Sequence, residues 1–260
     1  MTTMMNAQTG IKYLDMQAYV GITKHIGGRE ATDELLALCY IEHAHEVLNV
    51  GCGTGISCAY IAKKNGCRVV GVDISEKMIE WSRKRAHEER VEDKVEFRVA
   101  DILDLPFEAD RFDAVIVESV VAFVADKARA IHECVRVTRP GGYVGLNESL
   151  FTEAPTPEVR EMVRRELGVD LPLIGTWQAL WEASGLQDCT MRIHQIDARQ
   201  EIRGRLQWIG ARWMLKAFGR LLRLYLTQPA ARQSLKAQFG SGAGSLNTMR
   251  YGIFAGRKGA

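Results

Sequence analysis

Several protein classes are excluded by what this sequence has little of. Its 260 residues include only six prolines, which excludes a collagen-like chain and a proline-rich disordered one. No stretch approaches the roughly 18 consecutive apolar residues that a membrane-spanning helix needs. Neither sign of charge dominates, since 34 Lys and Arg balance 32 Asp and Glu to a formal net charge of +2. Nucleic-acid binding depends on a clustered basic face, so this near-neutral sum gives no reason to expect a nucleic-acid partner. What remains is the composition of an ordinary globular protein.

Cysteine is present but shows no pattern. The six cysteines occur singly, without a CxxC pair or a Cys/His cluster at zinc-ligand spacing, so we expect reduced thiols and no metal. The first ten residues carry no positive charge and no apolar run, which favours neither a secretory signal nor a transit peptide. From these features we expect a cytoplasmic protein.

Short β-branched runs alternate with longer helical patterns from residue 46 onward, which is typical of βαβ units in a parallel sheet. Several of the runs are apolar throughout, as expected for strands that are covered on both faces. The predicted strands are seven in number: 46–51, 68–73, 95–100, 112–119, 143–148, 189–196 and 250–258.

Three helices are predicted between these strands from the signals at their ends. The first, 56–65, is ended by Gly66, and the second, 76–90, is capped by Ser75. The third, 126–138, stops before the sequence Arg-Pro-Gly-Gly, which predicts a turn.

Three further segments lie outside a minimal sheet-and-helix unit, although we treat residues 1–260 as one domain. Residues 1–42 are predicted to form two helices separated by Gly27 and Gly28, a pair that would let the first helix move as a flap. Residues 150–187 and 197–248 are insertions that follow strands. Loops after the carboxyl ends of strands build the ligand pockets of α/β proteins, so we expect both insertions to cap a substrate.

The most informative motif is VLNVGCGTG at 47–55, in which a strand runs into Gly51, Gly53 and Gly55 and then into a helix. Small residues there let a ligand approach the backbone beneath the partly positive helix N-terminus. The dinucleotide fingerprint needs its third glycine at position 56, which is isoleucine, so the motif does not favour NAD. A tight turn without a ligand is the alternative.

With this GxGxG motif, the sequence from about residue 35 to 150 resembles the class I S-adenosylmethionine-dependent methyltransferases. The segments FDAVIVES at 112–119 and RVTRPGG at 136–142 are similar to the fourth strand, helix and turn of the small-molecule group that includes the quinone and sterol enzymes. The resemblance implies a Rossmann-like, doubly wound α/β fold. Its seven-stranded sheet would be mostly parallel with an antiparallel last strand, and the helical N-terminal flap and C-terminal helical insertion would be added to it.

The resemblance also implies S-adenosylmethionine as the cofactor. Asp73 would accept both ribose hydroxyls, Ile74 would lie beside the adenine, and Asp101 would take the adenine amino group; the alternatives are a helix cap for Asp73 and a solvated loop acid for Asp101. Asn49 stands where the family usually has an acid, so the charge that helps hold the cofactor's ammonium group is missing. The implied cofactor-binding residues are Asn49, Gly51, Cys52, Gly53, Gly55, Asp73, Ile74, Asp101, Ile102 and Glu118.

Residues at the ends of the fourth and fifth strands and in the flap are expected to face the methyl acceptor. Glu118 and Glu148 are candidate catalytic residues, because a carboxylate there could take a proton or steady a cationic acceptor. Any of Tyr13, Tyr19 and His25 in the flap could close over the site or act as the base. The alternatives are a polar strand end for the two glutamates and packing or surface positions for the flap residues.

A basic amphipathic pattern occupies 200–226. One helical stripe holds its cations and another its apolar side chains: Arg205, Arg212, Lys216, Arg220 and Arg223 against Leu206, Ile209, Trp213 and Leu221. Residues 199–260 contain twelve Lys and Arg and one acid, so the near-neutral total hides a basic C-terminal part. The pattern favours either contact with an anionic membrane or lipid-like acceptor, or a lid packed on the domain with its arginines in water.

The predicted activity is a one-step transfer of a methyl group from S-adenosylmethionine to a small or lipid-like acceptor. Two alternatives stay open. The basic pattern would suit a peripheral membrane enzyme that methylates isoprenoid or phospholipid acceptors, and Asn49 would permit a cofactor-binding module without turnover.

Overall fold

A computed structural model describes residues 13–260 except 24, 44, 198–200, 202–203, 205–207, 229–231 and 233–248. Its centre is a seven-stranded sheet in the order β3-β2-β1-β4-β5-β7-β6. The first five strands are parallel to one another, whereas β7 is antiparallel to both β5 and β6. The strands are β1 (Glu46–Val50), β2 (Arg68–Asp73), β3 (Val95–Val99), β4 (Phe112–Glu118), β5 (Thr138–Phe151), β6 (Gln187–Gln195) and β7 (Met249–Arg257). The predicted doubly wound sheet with an antiparallel last strand is confirmed.

Helices cover both faces of this sheet. They are α1 (Tyr13–Val20), α2 (Gly28–Leu38), α3 (Ile56–Asn65), α4 (Glu76–Glu89), α5 (Lys127–Val137), α6 (Pro157–Leu167), α7 (Ile174–Glu182) and α8 (Ala211–Thr227). Helices α2, α3 and α4 bury their apolar sides against one face of the sheet, and α5, α6 and α7 bury theirs against the other. The predicted end signals of α3 and α4 are confirmed, because Gly66 ends α3 at φ 72° and the Ser75 hydroxyl accepts from the Met78 N–H.

The fifth strand begins five residues earlier than predicted. Thr138 already pairs with Phe112, and pairing resumes between Tyr143 and Ala114, so the Arg-Pro-Gly-Gly sequence forms a bulge inside the strand rather than a turn before it. The Gly141 N–H donates to the carbonyl of Lys258, and the Lys258 N–H donates to that of Gly142. A partner from the far end of the chain therefore holds this bulge within the strand.

The N-terminal flap contains the two predicted helices, which residues 21–27 separate; Gly27 and Gly28, with φ of 81° and 52°, lie where α2 begins. Helix α1 is held by two indole groups. Trp81 on α4 donates its Nε1–H to the Ala18 carbonyl at 2.9 Å, and Trp213 on α8 donates its own to the Gly21 carbonyl at 2.6 Å. Helix α1 of the flap therefore packs between α4 and α8.

The second insertion differs from the predicted continuous helix. Gly210 adopts a non-helical conformation (φ 86°, ψ 137°) immediately before α8, while Arg205 and Leu206 lie outside the described residues. On α8, Trp213 from the predicted apolar stripe is buried, and Leu224, which was not assigned to that stripe, is buried with it. Arg220 was predicted to share a solvated stripe, but it donates to the Val20 carbonyl and its guanidinium lies 4.4 Å from the centre of the Trp81 ring. No helix in the described part of the chain is long and apolar enough to cross a membrane.

Candidate active site

A cavity of about 410 Å³ opens at the carboxyl ends of β1, β2 and β4. This volume lies within the ~300–1,000 Å³ range of small-molecule sites. Nine of the ten predicted cofactor-binding residues line it: Asn49, Gly51, Cys52, Gly53, Asp73, Ile74, Asp101, Ile102 and Glu118. Gly55 is not among its described wall residues. Residues as far apart in the sequence as Asn49 and Glu118 thus meet because parallel strands end at one edge of the sheet.

At two of the three glycines, the absence of a side chain lets a neighbouring residue pack directly against the backbone of the cavity wall. Gly51 and Gly53 have positive φ, and a Cβ would lie 2.2 Å from a methyl carbon of Val120 in the first case and of Thr23 in the second. Gly55 serves packing instead, since a Cβ there would lie 2.9 Å from the Ser82 backbone on α4. The glycine loop is therefore pressed between the turn after β4 and the flap.

Asp73 is held in one orientation by two backbone groups. Its Oδ2 accepts from the Gly53 N–H and its Oδ1 from the Ser75 N–H, both at 2.9 Å. Burial raises the pKa of this carboxyl, and the two N–H groups oppose that rise. Each carboxylate oxygen has a further lone pair, so Asp73 can accept two more hydrogen bonds from a ligand.

Apolar side chains at the cavity are open to solvent. Ile74 is 70% exposed and Leu14, from α1, is 50% exposed, although both line the cavity. Nearby, Asp101 uses Oδ1 to accept from the Leu103 N–H at 2.9 Å. A flat apolar ring with a polar edge would cover Ile74 and Leu14 and leave the second oxygen of Asp101 available.

Two polar side chains in the cavity wall test whether this site fits S-adenosylmethionine. Asn49 is buried, and its Oδ1 accepts a weak hydrogen bond from the Cys58 thiol at 3.5 Å. Because its side chain is a neutral amide, Asn49 brings no charge to the ligand. Ser119 has φ 57°, and its buried Oγ has no hydrogen-bond partner among the described residues. An orphaned hydroxyl, a preset carboxylate and exposed apolar surface together match the polar and apolar parts of an adenosyl compound.

Glu118 is the centre of a buried hydrogen-bond network. It accepts from the Thr32 hydroxyl on α2 and the Ser57 hydroxyl on α3, each at 2.6 Å. The His25 Nε2 lies 3.6 Å from the same carboxylate and 3.0 Å from the Gly28 carbonyl oxygen. A carbonyl only accepts, so Nε2 carries a proton and Nδ1 is the basic atom of the neutral ring.

A second cavity, of about 310 Å³, shares Thr23 and His25 with the first. Its other walls come from α2, from the β6 end, from β7 and from the described part of the insertion after β6, and include Arg29, Asp33, Gln195, Trp208 and Tyr251. His25 contacts Trp208 edge-on, with ring centres 6.0 Å apart. The imidazole therefore stands where the two compartments meet.

Two predicted catalytic residues lie elsewhere. Glu148 is fully buried, lines neither cavity, and accepts from the backbone N–H groups of Val120, Val121 and Ala122 at 2.7 to 3.2 Å. The prediction that it faces the acceptor is replaced by a positioning role, because these three donors occupy its carboxylate. Tyr19 is half-buried on α1 and belongs to neither set of described wall residues.

Sequence reasoning missed Thr32, Ser57 and Ser119, the hydroxyl residues around Glu118. Ser57 follows the glycine loop by two residues, so its place at the start of α3 could have marked it as a site residue. Thr32 gave no such signal, because its partner lies 86 positions away.

Residues 48–146 match the model of the family described as "Methyltransferase domain". The 27-O-demethylrifamycin SV methyltransferase of Amycolatopsis mediterranei is 31% identical over 160 residues, which are 60% of this chain and 59% of that protein. The chain spans less than two thirds of the length of the curated relatives that it matches.

Two solved structures share the fold over nearly the whole chain. The [4+2]-cyclase SpnF superposes with a TM-score of 0.74 at 21% identity and covers 94% of this chain and 92% of its own. An S-adenosylmethionine-dependent methyltransferase from Geobacter sulfurreducens, solved with S-adenosyl-L-homocysteine, gives 0.68 at 20% identity, with 95% and 98% covered.

Proposed function

We propose that this protein, whose residues 48–146 match the methyltransferase-domain family, transfers the methyl group of S-adenosylmethionine to a small-molecule acceptor. The observation that carries the proposal is the meeting of two cavities at Thr23 and His25, one of which holds nearly all the implied cofactor residues. When bound, S-adenosylmethionine supplies a methyl group already activated on a sulfonium. The chain then has to align the acceptor and exclude water.

Cofactor binding is assigned to the larger cavity. Asp73 would accept the ribose hydroxyls, since two backbone donors fix its carboxylate. Ile74 would pack on the adenine, and Asp101 would accept from the amino group. Gly51 and Gly53 let Val120 and Thr23 close on the loop, which narrows the space for water.

The acceptor is assigned to the smaller cavity, with His25 as the proton acceptor. The Gly28 carbonyl holds the Nε2 proton, so Nδ1 is the atom that would take a proton from a hydroxyl or amine. Glu118, 3.6 Å from Nε2, would then stabilise the imidazolium. A small-molecule acceptor is supported by the relative named for a demethylrifamycin.

Detection of the transferred methyl group tests this proposal. The fold alone does not decide the reaction, because SpnF has this fold and is a [4+2]-cyclase. The purified protein would be incubated with trideuteromethyl-labelled S-adenosylmethionine and a panel of small hydroxyl and amine compounds. Mass spectrometry should find one compound that gains the labelled group, with an equal amount of S-adenosylhomocysteine. Binding of the cofactor without any labelled product across a broad panel would instead support a module without turnover.

A further inference from the structure

Helix α8 has a second apolar face, opposite the one that packs on the domain. Its members recur at three- and four-residue spacing and are between 37% and 73% exposed: Leu215, Phe218, Leu222, Tyr225 and Leu226. The buried residues Trp213, Ala217 and Leu224 lie on the other side of the helix. Large apolar side chains clustered on one exposed face mark a contact surface.

The charges that helix α8 itself carries are of one sign. Helix α8 contains four basic residues and no acid. Lys216 pairs with Glu88 and Arg220 packs on Trp81, but Arg212 and Arg223 are exposed along one side of the apolar face. The outward surface of α8 is thus apolar with a cationic border.

Charge decides between the possible occupants of this face. A second copy related by a two-fold axis would bring the same cations against each other. Residues 229–248 contain Arg232 and Lys236 and no acid, so this segment offers the same sign. An anionic lipid surface complements both features, because lipid headgroups neutralise the arginines and the acyl boundary takes up the leucines.

We propose that the exposed face of α8 docks on an anionic membrane surface. The helix lies in the interface with Leu215, Phe218 and Leu222 inserted and Arg212 and Arg223 at the headgroups. Because α8 holds α1 through Trp213, and Leu14 of α1 lines the cofactor cavity, docking places the flap beside the membrane. This proposal is independent of methyl transfer.

Co-sedimentation with phosphatidylcholine vesicles, with and without phosphatidylglycerol, tests the proposal on the full chain. The wild type should bind the anionic vesicles at low salt, with about tenfold less bound protein on neutral vesicles or at high salt. Leu222→Asp should reduce binding about tenfold, and Arg212→Ala with Arg223→Ala should do so on anionic vesicles only. Tyr40→Asp is the matched control: Tyr40 is 65% exposed with φ 49°, a conformation that aspartate tolerates, and binding should be unchanged.

Three results would overturn the proposal. Equal binding to neutral and anionic vesicles would remove the role of charge. A wild-type dimer in light scattering that Leu222→Asp converts to monomer would assign the face to a second copy. Absence of vesicle binding, with a lower melting temperature for Leu222→Asp than for Tyr40→Asp, would show that the chain itself covers the face.

Discussion

Glu118 and Glu148 stand at the ends of adjacent strands, yet their surroundings give them different roles. Glu118 pairs in register with Asn147, so Glu148 is one position further and points to the opposite face of the sheet. Glu118 consequently reaches the cavity and His25, whereas Glu148 reaches the backbone of the turn after β4. Both were predictable as strand-end acids, but their faces depend on a register between strands that the sequence does not display.

Glu148 should make the stability of the fold decrease as the pH rises. Burial raises its pKa from 4.5 to about 7, so between these values the folded state holds a proton that the unfolded chain has released. The free energy of unfolding therefore falls with rising pH across this window. Glu148→Gln removes this pH dependence. Between pH 4.5 and 8, the free energy of unfolding of the variant minus that of the wild type should rise by up to about 3 kcal/mol.

Chemical denaturation of both proteins at several pH values measures this difference. Glu133→Gln is the control, because ion pairing with Arg136 lowers the pKa of Glu133 and its pH dependence has the opposite sign. Parallel stability curves for wild type and Glu148→Gln would contradict the assignment.

His25 should matter for turnover rather than for cofactor binding. With an acceptor that the labelling experiment identifies, His25→Gln should lower kcat by about 10²-fold or more, because glutamine cannot take the proton. The affinity for S-adenosylhomocysteine should change little. His87→Gln, at an exposed histidine on α4, is the control and should keep full activity. Unchanged kcat in His25→Gln would remove the histidine from the mechanism.

Among the elements, the flap has the most specific attachment. The Nε1–H bonds of Trp81 and Trp213 hold α1 and the residue after it against α4 and α8. Trp213→Phe removes one buried hydrogen bond worth about 1 kcal/mol, so amide exchange over residues 13–22 should become about fivefold faster.

Hydrogen-exchange mass spectrometry reads this local opening directly. Trp177→Phe is the matched control, since Trp177 is buried and its Nε1 has no partner among the described residues. Exchange in the flap should not change in that variant. Equal protection in Trp213→Phe and wild type would show that other contacts hold the flap.

Element boundaries were predictable where local chemistry sets them. Gly66 and Ser75 end and begin helices through their own conformation and hydroxyl, so these limits follow from the sequence. The start of β5 could not be predicted from the local sequence, because the Arg-Pro-Gly-Gly bulge is held by Lys258, far along the chain. The break at Gly210 was missed since the hydrophobic period continues across it.

At the scale of the whole molecule, the near-neutral net charge combines a basic C-terminal part with an acidic remainder. The structure uses some of this basic charge internally: Lys216 pairs with Glu88, and Lys258 pairs with Asp110. Arg212 and Arg223 instead lie exposed on the outside of α8, which gives this helix a cationic side. Electrostatic attraction to an anionic surface is therefore local, which is why total charge was a poor guide to partners.

The central claim, that the larger cavity binds an S-adenosyl cofactor, is tested most directly by isothermal titration calorimetry with S-adenosylhomocysteine. The account predicts one molecule bound per wild-type chain and an affinity at least about tenfold lower in Asp73→Ala, because a hydrogen bond to a charged group contributes about 1.5–3 kcal/mol. Asp188→Ala, which removes an exposed carboxylate paired with Arg257 on the far edge of the sheet, should bind like wild type. No binding by the wild type, or equal affinity in Asp73→Ala, would contradict the claim.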